Sequence, residues 1–251
     1  MLRDGLNLLK DKSVNHKKIP LMDEAYFNLN GNLDEKAVVC SRDQPWIPSP
    51  RRGVLRRPMY RLGGEVARAT SVVRYEPGSI FDNHKHPGGE EIFVLEGVFQ
   101  DEQGDYPAGT YLRNPPGSSH SPRSLDGCEI FVKLWQFCPG DSQSKSIRTD
   151  QAAWTDMGAD GTMMLPLHSY GGVIVQLIRL PAVSQKFSLP FENGMEIFVI
   201  RGRIEDCSGQ YGAGCWIRHP RSGRLDIHSS DGAIVYVETG RQEKPFIALP
   251  R

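Results

Sequence analysis

The heptapeptide "EIFVLEG", residues 91–97, recurs as "EIFVIRG" at residues 196–202, a shift of 196 − 91 = 105 residues. Each copy is rich in β-branched and aromatic residues and ends in glycine, as expected for a strand that runs into a turn. The same shift, without a gap, matches further pairs, namely Asp101 with Asp206, Gly104 with Gly209, Tyr106 with Tyr211, Gly109 with Gly214, Arg113 with Arg218, Pro115 with Pro220 and Ser124 with Ser229. Because this period is much longer than a solenoid or propeller unit, it indicates two similar domains in tandem.

Short apolar runs such as "TSVVRYEPG" and "EIFVKLWQF" alternate with Gly- and Pro-rich turns along most of the chain. This pattern predicts an all-β fold, a sandwich or barrel. A polar, turn-rich linker is predicted at residues 138–150, which separates a first domain at 40–140 from a second at 150–251. Residues 1–39 form a leader that contains one predicted short helix, "LNLLKDK", and its composition leaves open whether it adds a strand to a barrel.

The overall composition excludes several classes of protein. The 251 residues are 39% hydrophobic, and 30 basic residues balance 30 acidic ones, so the net charge favours neither nucleic acid nor a membrane as partner. No apolar run is long enough to span a bilayer, and acidic residues stand where a signal peptide would be apolar, which predicts a cytoplasmic protein. Five cysteines without a C-x-x-C pair are expected to be reduced, buried thiols.

A group of polar residues in the first repeat is replaced by apolar residues in the second. The four pairs are His84 with Leu189, His86 with Phe191, Glu90 with Met195 and His120 with Leu225. A joint change to apolar residues indicates that all four positions point into the domain interior. Burying three imidazoles and a carboxylate without partners would be very unfavourable, so we predict that they are the ligands of one divalent metal ion.

The spacing of these residues agrees with a metal site. His84 and His86 are two residues apart and would lie on one face of a strand, and the turn "PGG" would return Glu90 on the next strand. Nitrogen and carboxylate ligands suit transition metals rather than calcium. Zinc or iron(II) is expected first, and manganese or nickel are alternatives. No other cofactor is predicted, and no catalytic residue is assigned.

Several polar residues near these positions are assigned to the fold. The second repeat keeps Glu91 as Glu196, and it keeps Arg113 and Tyr106 as well, so these side chains are expected to be structural. For Lys133 and Trp135, packing is preferred over a position in a pocket.

Two motifs resemble those of a known superfamily. Gly78, His84-Lys85-His86, Glu90 and Gly97 have the spacing of the first cupin motif, and Gly109, "PPG" and His120 that of the second, although Ser124 stands where asparagine is common. The wording "GGEEIFVLEGVFQDEQGDYPAGTY" is similar to the ChrR-like cupin family. The resemblance implies a bicupin, that is, two tandem jelly-roll type β-barrels. The apolar counterparts of the four polar residues make the second barrel a degenerate one without metal ligands.

The family resemblance leaves the function open between two classes. One is a metal-binding bicupin that binds or senses a small molecule; the alternative is a metal-dependent dioxygenase that cleaves a diketone or aryl ketone. Sequestration of a sigma factor is not implied, because the leader contains no cysteine–histidine cluster. The expected partner is a small molecule, and the chain is expected to be either a monomer with pseudo-dimeric barrels or a homodimer.

Overall fold

A computed structural model describes residues 24–64, 66–158 and 160–241 of the chain. The short helix expected in "LNLLKDK" lies outside these residues. The only helical segments described are one α-helical turn, α1 at Glu24–Phe27, and one 3-10 turn at Ser41–Asp43. Otherwise the described chain is built of β-strands, as the sequence predicts.

The first half of the chain forms thirteen strands, most of them bounded by glycine or proline turns. They are β1 Ala37–Cys40, β2 Ile47–Pro48, β3 Val54–Gly63, β4 Ala67–Tyr75, β5 Ser79–Ile80, β6 His84–Lys85, β7 Glu90–Gln100, β8 Asp105–Pro107, β9 Thr110–Asn114, β10 Ser119–His120, β11 Arg123–Ser124, β12 Cys128–Leu134 and β13 Lys145–Arg148.

The second half repeats this arrangement. Its strands are β14 Thr155–Asp156, β15 Met163–Tyr170, β16 Val173–Leu180, β17 Phe187–Phe191, β18 Met195–Asp206, β19 Gly209–Gly212, β20 Cys215–His219, β21 Gly223–Ile227 and β22 Ala233–Thr239. All pairings are antiparallel, and two jelly-roll type β-barrels result, each with one large sheet and one small one.

The two large sheets have equivalent strand orders, β13-β9-β7-β12-β4-β3-β2 and β1-β20-β18-β22-β16-β15-β14. Both contain a bulge at the same place, since the register shifts at Leu95 in β7 and at Ile200 in β18. Gly97 and Gly202 follow these bulges with φ of 71° and 75°, and a Cβ on either would lie 2.2 Å or less from a carbonyl oxygen. The repeated glycine is therefore required by a close backbone approach.

Strand β7 is buried on both faces in its first half, which explains the unbroken apolar sequence there. Ile92 and Val94 point into the first barrel, whereas Phe93 packs in the cluster between the barrels. Alternation along a strand therefore places Glu90 on the interior side and Glu91 on the side of the second barrel. Two adjacent glutamates thus occupy different environments.

The barrels exchange strands at their edges. Strand β1, which precedes the first barrel, pairs with β20 of the second, and β13, which follows the first barrel's last strand, pairs with β9 of the first. In each case the added strand covers a sheet edge that would otherwise present unpaired backbone groups.

A disulfide joins the exchanged strand β1 to the second barrel. Cys40 and Cys215 are directly opposite residues in the β1–β20 pair, and their sulfurs are bonded at 2.02 Å. The prediction that all five cysteines are reduced is therefore wrong for these two. Cys128 and Cys138 are free and buried, as expected, whereas Cys207 is free and exposed.

An aromatic and charged interface lies between the barrels. Phe131 stacks on Phe198 with ring centroids 4.3 Å apart, and Tyr236 meets Phe131 edge-on at 5.3 Å. Beside them, the buried Lys133 Nζ lies 2.8 Å from carboxylate oxygens of both Glu196 and Glu238. Lys133 and Glu238 are equivalent positions of the two repeats, so the interface places equivalent residues face to face.

Charge pairing outweighs desolvation at this interface. Burial by itself would lower the pKa of Lys133, but attraction by Glu196 and Glu238 raises it. Burial would likewise raise the pKa of Glu238, but Arg241 and Lys133 hold it at about 2. Both groups are therefore charged at neutral pH, and each depends on its partner.

Candidate metal centre

Four side chains from three neighbouring segments of the first barrel meet in its interior. His84 begins β6 and His120 ends β10, and these two residues lie directly opposite each other in the β6–β10 pair. His86 follows β6, and Glu90 begins β7 after the turn "PGG". Gly89 N–H donates to the His86 carbonyl oxygen at 3.2 Å, which closes the turn and returns Glu90 to the histidines. A Cβ on Gly88 would lie 2.1 Å from the ring of Trp135, so glycine is required there.

The structure brings together all four residues that the sequence singles out. One nitrogen from each of His84, His86 and His120 lies within 4.8 Å of the others. A Glu90 carboxylate oxygen lies 3.7 Å from His86 Nε2 and 3.5 Å from His120 Nε2. The group is thus three imidazoles and one carboxylate around a common centre, the set that the sequence predicts as metal ligands.

Neighbouring oxygens hold two of the imidazole rings. His84 Nδ1 lies 3.2 Å from the Asp82 carbonyl oxygen, and His120 Nδ1 lies 3.2 Å from Asp101 Oδ2. A ring that donates through Nδ1 carries its lone pair on Nε2, on the opposite side of the ring and toward the common centre. Histidine ligands of metals are usually oriented in this way. Asn114 Nδ2 also donates to Glu90, at 3.2 Å.

Sequence reasoning missed the role of Asp101. It matched Asp101 with Asp206 as a repeated residue, and both do hold the same turn: each accepts hydrogen bonds from two following backbone amides and from a tyrosine hydroxyl, Tyr106 or Tyr211. Only Asp101 has a histidine beside its second oxygen. No sequence signal separates the two aspartates, because the second repeat keeps Asp206 for the turn.

The residues fit a divalent transition metal. His86 Nε2 is buried and has no hydrogen-bond partner among the described residues, a costly state for an atom so close to a carboxylate and two other imidazoles. Burial lowers the pKa of His86, which keeps its ring neutral and its lone pair available. Burial would also lower the pKa of His120, but the hydrogen bond to Asp101 and the charge of Glu90 raise it.

A cavity of about 430 Å³ opens beside the four residues. Its wall is mostly apolar and is formed by Val54, Val73, Phe81, Ile130, Val132 and Trp135. Tyr75 and three cations, Arg56, Arg61 and Lys85, add polar groups. Burial raises the pKa of Tyr75 well above its ordinary value, so its hydroxyl keeps its proton. The volume is enough for a small organic molecule in contact with His84 and His86, the two histidines that line the cavity.

Two of the structural assignments need refinement. Trp135 lines this cavity as well as packing on the Gly88 turn, so packing alone does not describe it. Lys133 belongs to the interface between the barrels instead. Glu91 is structural as predicted, because its carboxylate pairs with Arg113 Nε at a distance of 2.8 Å. This pair lies on the side of the second barrel and not among the histidines.

The equivalent place in the second barrel is filled with apolar side chains. Leu189 lies directly opposite Leu225 in the β17–β21 pair, as His84 lies opposite His120. These two leucines are buried in one hydrophobic cluster with Phe191 and Met195. The prediction that the four counterparts pack as core is confirmed.

Comparison with known proteins gives one family and a common fold. The family model for the ChrR cupin-like domain matches the chain twice, at residues 34–138 and 142–243. No curated protein has a matching sequence. Within the described residues, no helix has the length and apolar character needed to cross a membrane.

Among solved structures, a candidate dioxygenase from Nostoc punctiforme is 14% identical, with 87% of this chain and 88% of that chain covered and a TM-score of 0.66. The pirin YhhW from Escherichia coli, in complex with nickel(II), is 14% identical, with 82% of this chain and 98% of that chain covered and a TM-score of 0.60. Oxalate decarboxylase from Bacillus subtilis, which has Mn(II) centres, is 13% identical over 90% and 85%, with a TM-score of 0.59.

These identities are low, so the likeness to solved structures shows the fold alone. The family model, by contrast, matches both repeats over most of the chain. With its two barrels and its histidine cluster in the first, the chain belongs to the ChrR cupin-like family.

Proposed function

We propose that the first barrel binds one divalent transition metal ion through His84, His86, Glu90 and His120, and that it binds or senses a small organic molecule beside that ion. The observation that carries the proposal is the buried His86 Nε2, which has no hydrogen-bond partner in the part of the chain that the structure describes and lies 3.7 Å from a Glu90 carboxylate oxygen. A bound ion would satisfy this atom together with the other ligand atoms. Zinc or iron(II) is proposed first, and the relatives with nickel and manganese make those metals the alternatives.

The protein's own residues prepare the site. Asp101 and the Asp82 carbonyl orient two imidazoles, and Asn114 orients the carboxylate of Glu90. The apolar wall of the cavity excludes water from a ligand, while the ion would act as a Lewis acid or supply redox chemistry. Ligand binding at such a centre would change the positions of the β6 and β10 strands, because two of the histidines lie on this pair.

The experiment is metal analysis of protein purified without added metal. We expect about one metal ion per chain in the wild type and almost none in the double variant His84→Ala/His86→Ala. The matched control is His219→Ala/His228→Ala, which removes two histidines of the second barrel and should leave the metal content unchanged. Metal retained by the His84/His86 variant would contradict the proposal.

A second function, a metal-dependent dioxygenase, is supported by the cavity beside the histidines, which gives a substrate room to reach the ion. The test compares oxygen uptake by iron-loaded and zinc-loaded protein with 2,4-pentanedione and acetophenone as probes. Uptake with iron alone would favour the enzyme. Stoichiometric zinc in inert protein would favour the sensor.

The chain is proposed to be a monomer with pseudo-dimeric barrels, located in the cytoplasm. Support for the monomer comes from the interface that the barrels form with each other, where Phe131, Phe198 and Tyr236 are already buried. Light scattering that gives twice the chain mass would favour the homodimer.

For the location, the disulfide provides a test, because disulfides are rare in the cytosol. If the protein is cytoplasmic, thiol counting after rapid alkylation of whole cells should give five free thiols per chain. Three free thiols, with Cys40 and Cys215 bonded, would favour an oxidising compartment instead.

A further inference from the structure

The strand register extends the comparison of the two repeats to residues that line the cavity. Val73 lies opposite Arg56 in the β3–β4 pair, and its counterpart Ile178 lies opposite Met164 in the β15–β16 pair. Arg56 and Met164 therefore occupy equivalent positions. Like the four proposed ligands, Arg56 is replaced by an apolar residue in the second barrel.

Arg56 is a cavity-lining cation without an acidic partner. Its guanidinium donates a hydrogen bond of 2.6 Å to Ser49 Oγ, and no carboxylate of the described residues lies within salt-bridge distance of it. Arg74 on the next strand shows the contrast, since it pairs with Glu129 outside this cavity. An arginine fork aimed at a concave, mostly apolar site is suited to a carboxylate from a ligand.

The charges of the site favour an anion. Glu90 is the one acidic residue that lines the cavity among the described residues, and a divalent ion would more than neutralise it. Arg56 then adds another positive charge, as do Arg61 and Lys85, which line the same cavity. Of these three, Arg56 lies opposite the apolar wall residue Val73 and is the one replaced by methionine at the equivalent position of the second barrel. The neighbouring wall residues Val54, Val73 and Ile130 are apolar, so only part of the ligand can be charged.

We infer that Arg56 is the anion-recognition residue of the cavity and that the ligand is an organic carboxylate with an apolar body. The carboxylate would be held by the guanidinium of Arg56, with the Tyr75 hydroxyl as a further donor on the neighbouring strand. The body would lie along the apolar wall toward the histidines. This inference rests on the proposed function, because it places the ligand beside the ion.

The experiment is calorimetric titration of metal-loaded protein with phenylacetate and 3-phenylpropanoate, each compared with its primary amide. A charge-assisted hydrogen bond that the amide cannot make should give the carboxylates about 10- to 100-fold tighter binding in the wild type. Arg56→Met, which introduces the residue of the second barrel, should remove this preference by weakening carboxylate binding far more than amide binding. Arg56→Lys should keep part of the preference.

The control variant is Arg74→Met, which removes an arginine that is paired with Glu129 and faces away from the cavity; it should keep the full preference. Equal binding of carboxylate and amide by the wild type would overturn the inference without any variant. A preference that survives in Arg56→Met would also overturn it, since the ion or another cavity cation, Arg61 or Lys85, would then be the anion receptor. Metal content separates the two proposals, because wild-type protein that binds no metal contradicts the proposed function instead.

Discussion

The two barrels have the same arrangement of strands, but the centre of the first is polar and that of the second is apolar. Each has a bulged long strand, a glycine after the bulge and an aspartate that accepts a tyrosine hydroxyl. At the centre of the first barrel are three histidines and a glutamate; at the centre of the second are two leucines, a phenylalanine and a methionine. The fold therefore does not require these four polar residues, which supports the proposal that the first barrel keeps them for metal binding.

The two aspartates show what the second barrel has lost. Asp101 Oδ2 lies 3.2 Å from His120 Nδ1, whereas Asp206 Oδ2 is buried and has no hydrogen-bond partner among the described residues. Position 225 is leucine, which cannot donate. Asp206 keeps the oxygen that holds the turn, and its second oxygen is left without the partner that Asp101 has.

The largest effect is expected from giving the first barrel the interior of the second. In the variant His84→Leu/His86→Phe/Glu90→Met/His120→Leu we expect complete loss of bound metal. Replacing buried ionisable groups with apolar ones should raise the free energy of unfolding by about 1–4 kcal/mol over metal-free wild type. Urea denaturation of both proteins in chelator measures this. A variant less stable than metal-free wild type would show that the interiors are not interchangeable.

The next effect concerns the interface that the barrels share. Lys133→Ala leaves Glu196 and Glu238 buried without their cation, which should cost about 3–5 kcal/mol of the free energy of unfolding. Chemical denaturation provides the measurement, and the exposed Lys186→Ala is the matched control. A loss below about 1 kcal/mol, as for surface ion pairs, would mean that the interface tolerates the unpaired glutamates.

A smaller effect is expected from the strand exchange. Cys40→Ser removes the disulfide to Cys215, which spans 175 residues, and should cost about 2–4 kcal/mol under oxidising conditions. The difference from wild type should disappear in reductant. Cys207→Ser, at an exposed free cysteine, is the control and should have no effect. Equal stability of Cys40→Ser and wild type without reductant would contradict a stabilising role for the bond.

The smallest effect sharpens the comparison of the aspartates. Asp101→Asn should weaken metal binding by about 10- to 100-fold, since partners of ligand histidines tune metal affinity by that factor. Asp206→Asn makes the same change in the second barrel and should leave metal binding as it is. Competition with a chromophoric chelator measures both. Equal losses in the two variants would assign the effect to the turn rather than to His120.

Much of this organisation was predictable from the repeat. The shift of 105 residues gives the tandem barrels, and the joint loss of four polar residues gives the group around His84. Asp101 was not predictable in this way because Asp206 keeps it for the turn. The equivalence of Arg56 and Met164 could not be predicted for a different reason. The β3–β4 hairpin is three residues longer than the β15–β16 hairpin, so the ungapped shift does not align these two residues.

The strand exchange and the disulfide depend on tertiary contacts. Nothing in "AVVC", residues 37–40, tells which barrel it joins, and Cys40 and Cys215 are far apart in sequence and lie on opposite sides of the first barrel's sequence. Their meeting depends on how the two barrels are placed against each other. A sequence pattern that is local to one repeat carries no information about that placement.

Lys133 facing Glu238 also determines which associations the barrels can form. In a symmetric pair of identical barrels, this position would meet its own copy, lysine against lysine or glutamate against glutamate, and like charges would repel at a buried contact. The interface therefore favours association of the two unlike barrels and disfavours association of either barrel with a copy of itself. If the chain were cut between the barrels, we expect the two halves to reassociate as the original unlike pair and not as homodimers of either half.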